Sequence, residues 1–108
     1  VVWTQKKIRA VAPSGVTSVR VKSLQVVGAT KAPSGASASY VVSKQAYSTP
    51  PVDYIEAELL AGNTSVAPSV VSGFLVTPGV DFYLYCSDAP AAADAPAEVD
   101  CLISLEFI

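Results

Sequence analysis

The side chains of this chain that could carry chemistry are two cysteines, Cys86 and Cys101, two carboxylates at Glu56 and Glu58, and the adjacent Ser43 and Lys44. Carboxylates two residues apart on a strand share one face. With Asp81 or Asp100 on a neighbouring strand they could form an acid pair at about 5–9 Å, the spacing of glycoside hydrolysis, or bind calcium. A glycosidase acid needs a dry cleft to raise its pKa, which short strands in a small domain do not offer. No D-x-D-x-D-G loop for calcium occurs. The chain has no histidine, so neither cysteine has the base that commonly activates a thiol, and Asp88 and Asp100 nearby raise a thiol pKa. Two cysteines without histidine also fall short of the four ligands of a structural zinc site. Ser43 and Lys44 have only adjacency in their favour, and no G-x-x-x-x-G-K or G-x-G-x-x-G loop is present. The expectation is a chain that is not an enzyme, with no catalytic residue, no cofactor and no metal site.

Charge is the most informative remaining feature. All seven Lys and Arg residues lie between Lys6 and Lys44, and all nine Asp and Glu residues between Asp53 and Glu106. Either basic strands of one half pair inside the fold with acidic strands of the other, or the molecule presents surfaces of opposite sign for assembly. In both cases Arg20 and Lys22 should meet Glu56, Glu58, Asp100 or Glu106. Lys6, Lys7 and Arg9, close to Trp3, could contact nucleic acid, but phosphate-binding modules are basic overall and this chain has a net charge of −2. Nucleic acid is therefore not the expected partner. Trp3, Lys6, Lys7 and Arg9 are interface candidates, Trp being enriched at binding hot spots, although Trp3 could equally plug the core. Tyr83 and Tyr85, outward by parity, are further interface candidates and would be the platform of a glycan-binding module.

The elements that must position these residues are strands. In Val80 to Ser87, Val80, Phe82, Leu84 and Cys86 alternate with Asp81, Tyr83, Tyr85 and Ser87, the period-two pattern of a half-buried strand. Val99, Cys101, Ile103, Leu105 and Phe107 alternate in the same way with Glu98, Asp100, Leu102, Ser104 and Glu106, which predicts that the first set is buried and the acids are wet. Ile55, Ala57 and Leu59 alternate with Tyr54, Glu56, Glu58 and Leu60 after Pro50 and Pro51. By propensity this last segment could also pass as a short helix. Val19 and Val21 oppose Arg20 and Lys22, but Leu24 and Val26 then take the parity of the charges, which predicts a bulge near Lys22–Ser23 or a switch between sheets.

Turn signals separate the strands. APSG occurs at Ala12 to Gly15 and again at Ala32 to Gly35, suiting a type I turn with Pro second and Gly fourth. This is one favourable turn used twice, or the trace of a duplicated hairpin. If Val80–Ser87 and Glu98–Phe107 form a closing hairpin around the DAPAAADAPA loop, Cys86 and Cys101 face each other on the core side. Two readings stay open: a disulfide between them, which needs Cα atoms about 5.5 Å apart and an oxidising compartment, or two buried thiols acting as small apolar residues. Seven to eight short strands over 108 residues predict one all-β domain spanning 1–108, a single antiparallel β-sandwich of possible jelly-roll type. No run reaches the roughly 18 apolar residues of a membrane span, and VVWTQKKIRAVA has no secretory h-region, so a soluble chain with no membrane partner is expected.

The run VTPGVDFYLYCS, a long loop and AEVDCLISLEFI together resemble the closing hairpin of small β-sandwich virion proteins, in particular the decoration or cement proteins that coat tailed-phage capsids. The resemblance covers about the last 30 residues of the sequence. It implies a structural role on the capsid surface of a virion, with capsid subunits or other assembly proteins as partners and a homo-oligomeric state. It carries over no binding residue, because such proteins share architecture far more than motifs. The alternative from a different class is a glycan-binding or adhesin-type β-sandwich module resting on Tyr83 and Tyr85.

Overall fold

A computed structural model describes residues 6–30, 37–46, 52–68, 73–86 and 99–108. Among them the chain forms seven strands and no helix: β1 (Lys6–Ile8), β2 (Val19–Ala29), β3 (Ala38–Ser43), β4 (Tyr54–Leu59), β5 (Phe74–Val76), β6 (Phe82–Cys86) and β7 (Val99–Phe107). They build a four-stranded sheet in the order β1-β6-β3-β4 and a three-stranded sheet in the order β5-β2-β7. Every strand pair is antiparallel. The chain is all-β with a β-sandwich architecture, as the alternating segments require. β4 alternates strictly, with Ile55, Ala57 and Leu59 buried and Tyr54, Glu56 and Glu58 exposed, so the segment with helix-forming composition is a strand.

Between the sheets lies a core that includes Val19, Val21, Leu24 and Val26 of β2, Tyr40 and Val42 of β3, and Phe82 of β6. β2 reaches this core along its whole length because its register against β7 shifts between Val21 and Ser23. The extra residue leaves Lys22 exposed and returns Leu24 and Val26 inward at 0% exposure, which is the bulge that the broken parity predicts. A second shift lies between Val26 and Gly28.

Three turns share one construction. The amides of Val16, Asn63 and Val80 donate to the carbonyls of Pro13, Leu60 and Thr77 at 3.2, 3.0 and 3.1 Å, with a glycine at positive φ in the third position: Gly15 at 95°, Gly62 at 87° and Gly79 at 81°. A type II turn places glycine there. The first APSG turn is therefore closed one residue later than the type I reading of Ala12 to Gly15, because Gly15 supplies the positive φ of the third position rather than ending the turn. The second APSG copy lies outside the described residues, as do Pro50, Pro51 and the DAPAAADAPA loop.

The expected closing hairpin is not formed. β6 belongs to the four-stranded sheet between β1 and β3, and β7 belongs to the other sheet beside β2. A connection of more than ten residues is long enough to carry the chain from one sheet to the other, so sequence adjacency did not impose pairing. Val80, expected inward, is 54% exposed, because the turn bond to Thr77 holds it ahead of the strand. Leu105 and Phe107, also expected to be buried, are 41% and 50% exposed. They stand opposite the fully buried Val21 and Val19, hence on the core-facing side, but β7 is an edge strand with no further strand beyond it among the described residues. Asp100 and Glu106 are exposed as the alternation requires, while Glu98 lies outside the described residues.

Candidate functional site

The two halves of the charge distribution meet within the chain. Arg20 and Glu106 are direct cross-strand partners in β2 and β7, with Nε and Oε1 3.6 Å apart. Arg9 Nε donates to Asp81 Oδ1 at 2.6 Å, joining the segment after β1 to the start of β6. That hydrogen bond, and then the charge of Asp81, holds the Arg9 guanidinium above its ordinary pKa. The basic cluster is thereby divided. Arg9 is engaged by Asp81, Lys7 stands beside Tyr83 on the outer side of the four-stranded sheet, and Lys6 lies opposite Leu84. Trp3, the remaining member of that candidate interface, lies outside the described residues.

The outer face of the four-stranded sheet carries the tyrosines. Tyr83, Ser43 and Tyr54 occupy one rung across β6, β3 and β4, and Tyr85, Val41 and Glu56 occupy the next. Parity placed Tyr83 and Tyr85 on this face correctly, but Tyr85 is only 2% exposed and offers no platform to a ligand. Its strand is internal, and its neighbour Val41 is 0% exposed, so this part of the outer face is itself covered. Tyr83 is half-buried and Tyr54 is 46% exposed. Tyr54 is the aromatic partner that sequence pairing did not supply, since it comes from a strand two places away in the sheet.

The carboxylates do not converge. Glu56 and Glu58 project from β4, Asp81 is bound by Arg9, and Asp100 lies in the other sheet. Among the described residues no group of three or more Cys, Asp or Glu side chains could hold a metal ion. Ser43 is 1% exposed. Its hydroxyl donates to the Val52 carbonyl at 2.6 Å and accepts from the Gln45 amide at 3.2 Å, while Lys44 is exposed. The hydroxyl thus ties β3 to the approach of β4.

Cys86 and Cys101 are free thiols and sit in different sheets, Cys86 beside Tyr40 and Cys101 beside Val26. The cross-strand apposition expected of a hairpin is absent, although both side chains reach the shared core. Burial, and then the charge of Asp100, pushes the Cys101 thiol pKa up. The residue missed by sequence reading is Tyr40. Its phenolic oxygen is buried without a hydrogen-bond partner among the described residues, and its pKa is pushed up to about 12, first by burial and then by charge on Cys86 and Cys101. Its only sequence signal is a tyrosine in an otherwise small-residue strand.

These shifts set an alkaline limit. An unfolded tyrosine ionises near pH 10, whereas Tyr40 holds its proton to about pH 12 in the fold. Between those values the unfolded chain binds fewer protons than the folded one, so stability falls as pH rises. The raised Cys101 pKa acts in the same direction, beginning above its unfolded value of about 8.5. Thermal unfolding across an alkaline pH series should show a level Tm to about pH 8 and a decline above it. Tyr40→Phe should flatten the upper part of the decline and leave Tm at neutral pH unchanged or higher, because it removes a buried hydroxyl that has no partner among the described residues. A decline identical to that of the parent chain would assign the alkaline limit to other groups.

Compared with known proteins, the chain matches no family model, no curated protein and no solved structure.

Proposed function

We propose that this chain is a non-enzymatic structural protein that docks on a larger protein assembly, in the manner of a capsid decoration or cement protein on the surface of a tailed-phage virion. The observation that supports this reading is an apolar tip. The Gly79 amide donates to the Ala10 carbonyl at 3.0 Å, which brings together the segments carrying Val11, 89% exposed, and Val80, 54% exposed. Apolar exposure concentrated at one place marks a contact surface. Arg9 and Arg20 are engaged by Asp81 and Glu106 of the same chain, so both arginines are taken up within the fold, and docking is assigned to apolar burial at Val11 and Val80.

The test is co-sedimentation with empty capsids of the phage that encodes the chain. Binding should persist when ionic strength rises from about 0.05 to 0.5 M, a range that shortens the Debye length severalfold and weakens docking between opposite charges. Val11→Asp should abolish binding and leave the denaturant midpoint unchanged, since Val11 is almost wholly exposed. Loss of binding in salt would mean that docking runs through charge. Saturable binding to a glycan array, lost on Tyr83→Ala, would transfer the role to the glycan-binding alternative.

A further inference from the structure

The edges of the two sheets are not alike. β1 and β5 have three residues each, β1 contributing two lysines, and β4 carries Glu56 and Glu58. Short or charged edges of this kind resist pairing with another chain. β7 is different. It runs for nine residues, pairs only with β2 among the described residues, and bears Leu102, Leu105 and Phe107 at 41–53% exposure, followed by Ile108 at 48%.

Its hydrogen-bonding direction can be read from its end. Ile108 and Ser18 exchange both main-chain bonds, N to O at 2.9 Å and O to N at 3.5 Å, so the polar groups of Ile108 point toward β2. Along an antiparallel strand this direction alternates. The groups of Glu106, Ser104 and Leu102 therefore also face β2, and those of Ile103, Leu105 and Phe107 face the open edge.

We propose that β7 pairs antiparallel with β7 of a second copy of this chain, with Leu105 on the two-fold axis. In that register Leu105 meets its copy and Ile103 meets Phe107, and both are rungs whose polar groups face the open edge. The intervening rungs set Ser104 against Glu106 and Leu102 against Ile108. Apolar residues then cover apolar residues on both faces of the joined sheet, and no carboxylate faces another. Centring the axis on Ile103 instead would set Asp100 against Glu106 twice, which like-charge repulsion disfavours. Centring it on Cys101 would put Asp100 against Leu102. The joined three-stranded sheets become one six-stranded sheet, an isologous arrangement. This pairing does not depend on capsid docking, which uses the Val11–Val80 tip.

The register is tested at Ser104, an outward and partly exposed residue. Sedimentation equilibrium of the full chain should show a concentration-dependent dimer. Ser104→Lys places a cation against the partner's Glu106 and should tighten the dimer, while Ser104→Glu places two carboxylates together and should weaken it. With two symmetric rungs, each change is expected to shift Kd by about 2- to 30-fold, in opposite directions. The denaturant midpoint of each variant, measured at a concentration where the chain is monomeric, should match that of the parent. A chain that stays monomeric at about 1 mM, weaker than the range of specific association, would overturn the proposal. So would a dimer that responds to the two substitutions equally or in the reverse order.

Discussion

Phe82→Ala should lower the free energy of unfolding by about 3–5 kcal/mol, the range for truncating a packed aromatic. Phe82 is 0% exposed and is the largest fully buried side chain among the described residues. It stands at the start of β6, the strand between β1 and β3, and opposite Ile8. Ile8, held opposite by strand pairing, and the buried core residues of the facing sheet cannot fully collapse into the space that the ring leaves, so a cavity persists and adds to the lost transfer energy. A domain of this size has about 5–15 kcal/mol in total, so much of its stability would go. Urea denaturation of Phe82→Ala beside Tyr83→Ala provides the comparison, because Tyr83 sits on the outer face and is only half-buried. A loss below about 1 kcal/mol at Phe82, far under the range for a packed aromatic, would show that the ring is not a structural part of the core.

What the sequence discloses follows from the range of the physics involved. Alternation along a single strand is a local property, and it correctly separates Ile55, Ala57 and Leu59 from Tyr54, Glu56 and Glu58. The same reasoning marks the break in β2 near Lys22–Ser23, which alternation alone left as a bulge or a switch between sheets and which the register against β7 resolves as a bulge. Opposite charges reading toward each other found Arg20 and Glu106. Partnership is not local. Cys86 and Cys101 follow from two correctly recognised strands, yet those strands enter different sheets, because a long connection leaves open which edge the next strand joins. Burial is not local either. Leu105 and Phe107 point to the core side as their parity says, but their strand lies at an edge, whereas Tyr85 points outward and is nevertheless buried beside the equally buried Val41. Parity sets which face a side chain takes, and what packs over that face sets whether it is wet, which is why Tyr83 and Tyr85 share a strand and a face but not an exposure.

Gly73→Ala should be the most damaging of the glycine substitutions. Gly73 has φ 75°, a conformation that costs a residue with a side chain about 1–3 kcal/mol. A Cβ added there would also run into the carbonyl oxygen of Val21. That oxygen belongs to the backbone of β2 immediately before its bulge, so relief requires moving the strand that seats Val19, Val21, Leu24 and Val26 at 0% exposure. Conformational cost and clash together should exceed about 3 kcal/mol, the upper end for backbone strain alone. Three other glycines separate the two contributions. Gly15 and Gly62 have positive φ but open space around a Cβ, and should lose only the conformational share, about 1–2 kcal/mol. Gly28 has open space and no positive φ, so its alanine variant should be neutral or gain about 0.4–1 kcal/mol through a less flexible unfolded chain. Urea midpoints ordered Gly73, then Gly15 and Gly62, then Gly28 would establish close packing of β5 against the bulge as a condition of the fold. If Gly73→Ala is no worse than Gly62→Ala, β2 can shift without cost to the core, and the bulge is not held in place by β5.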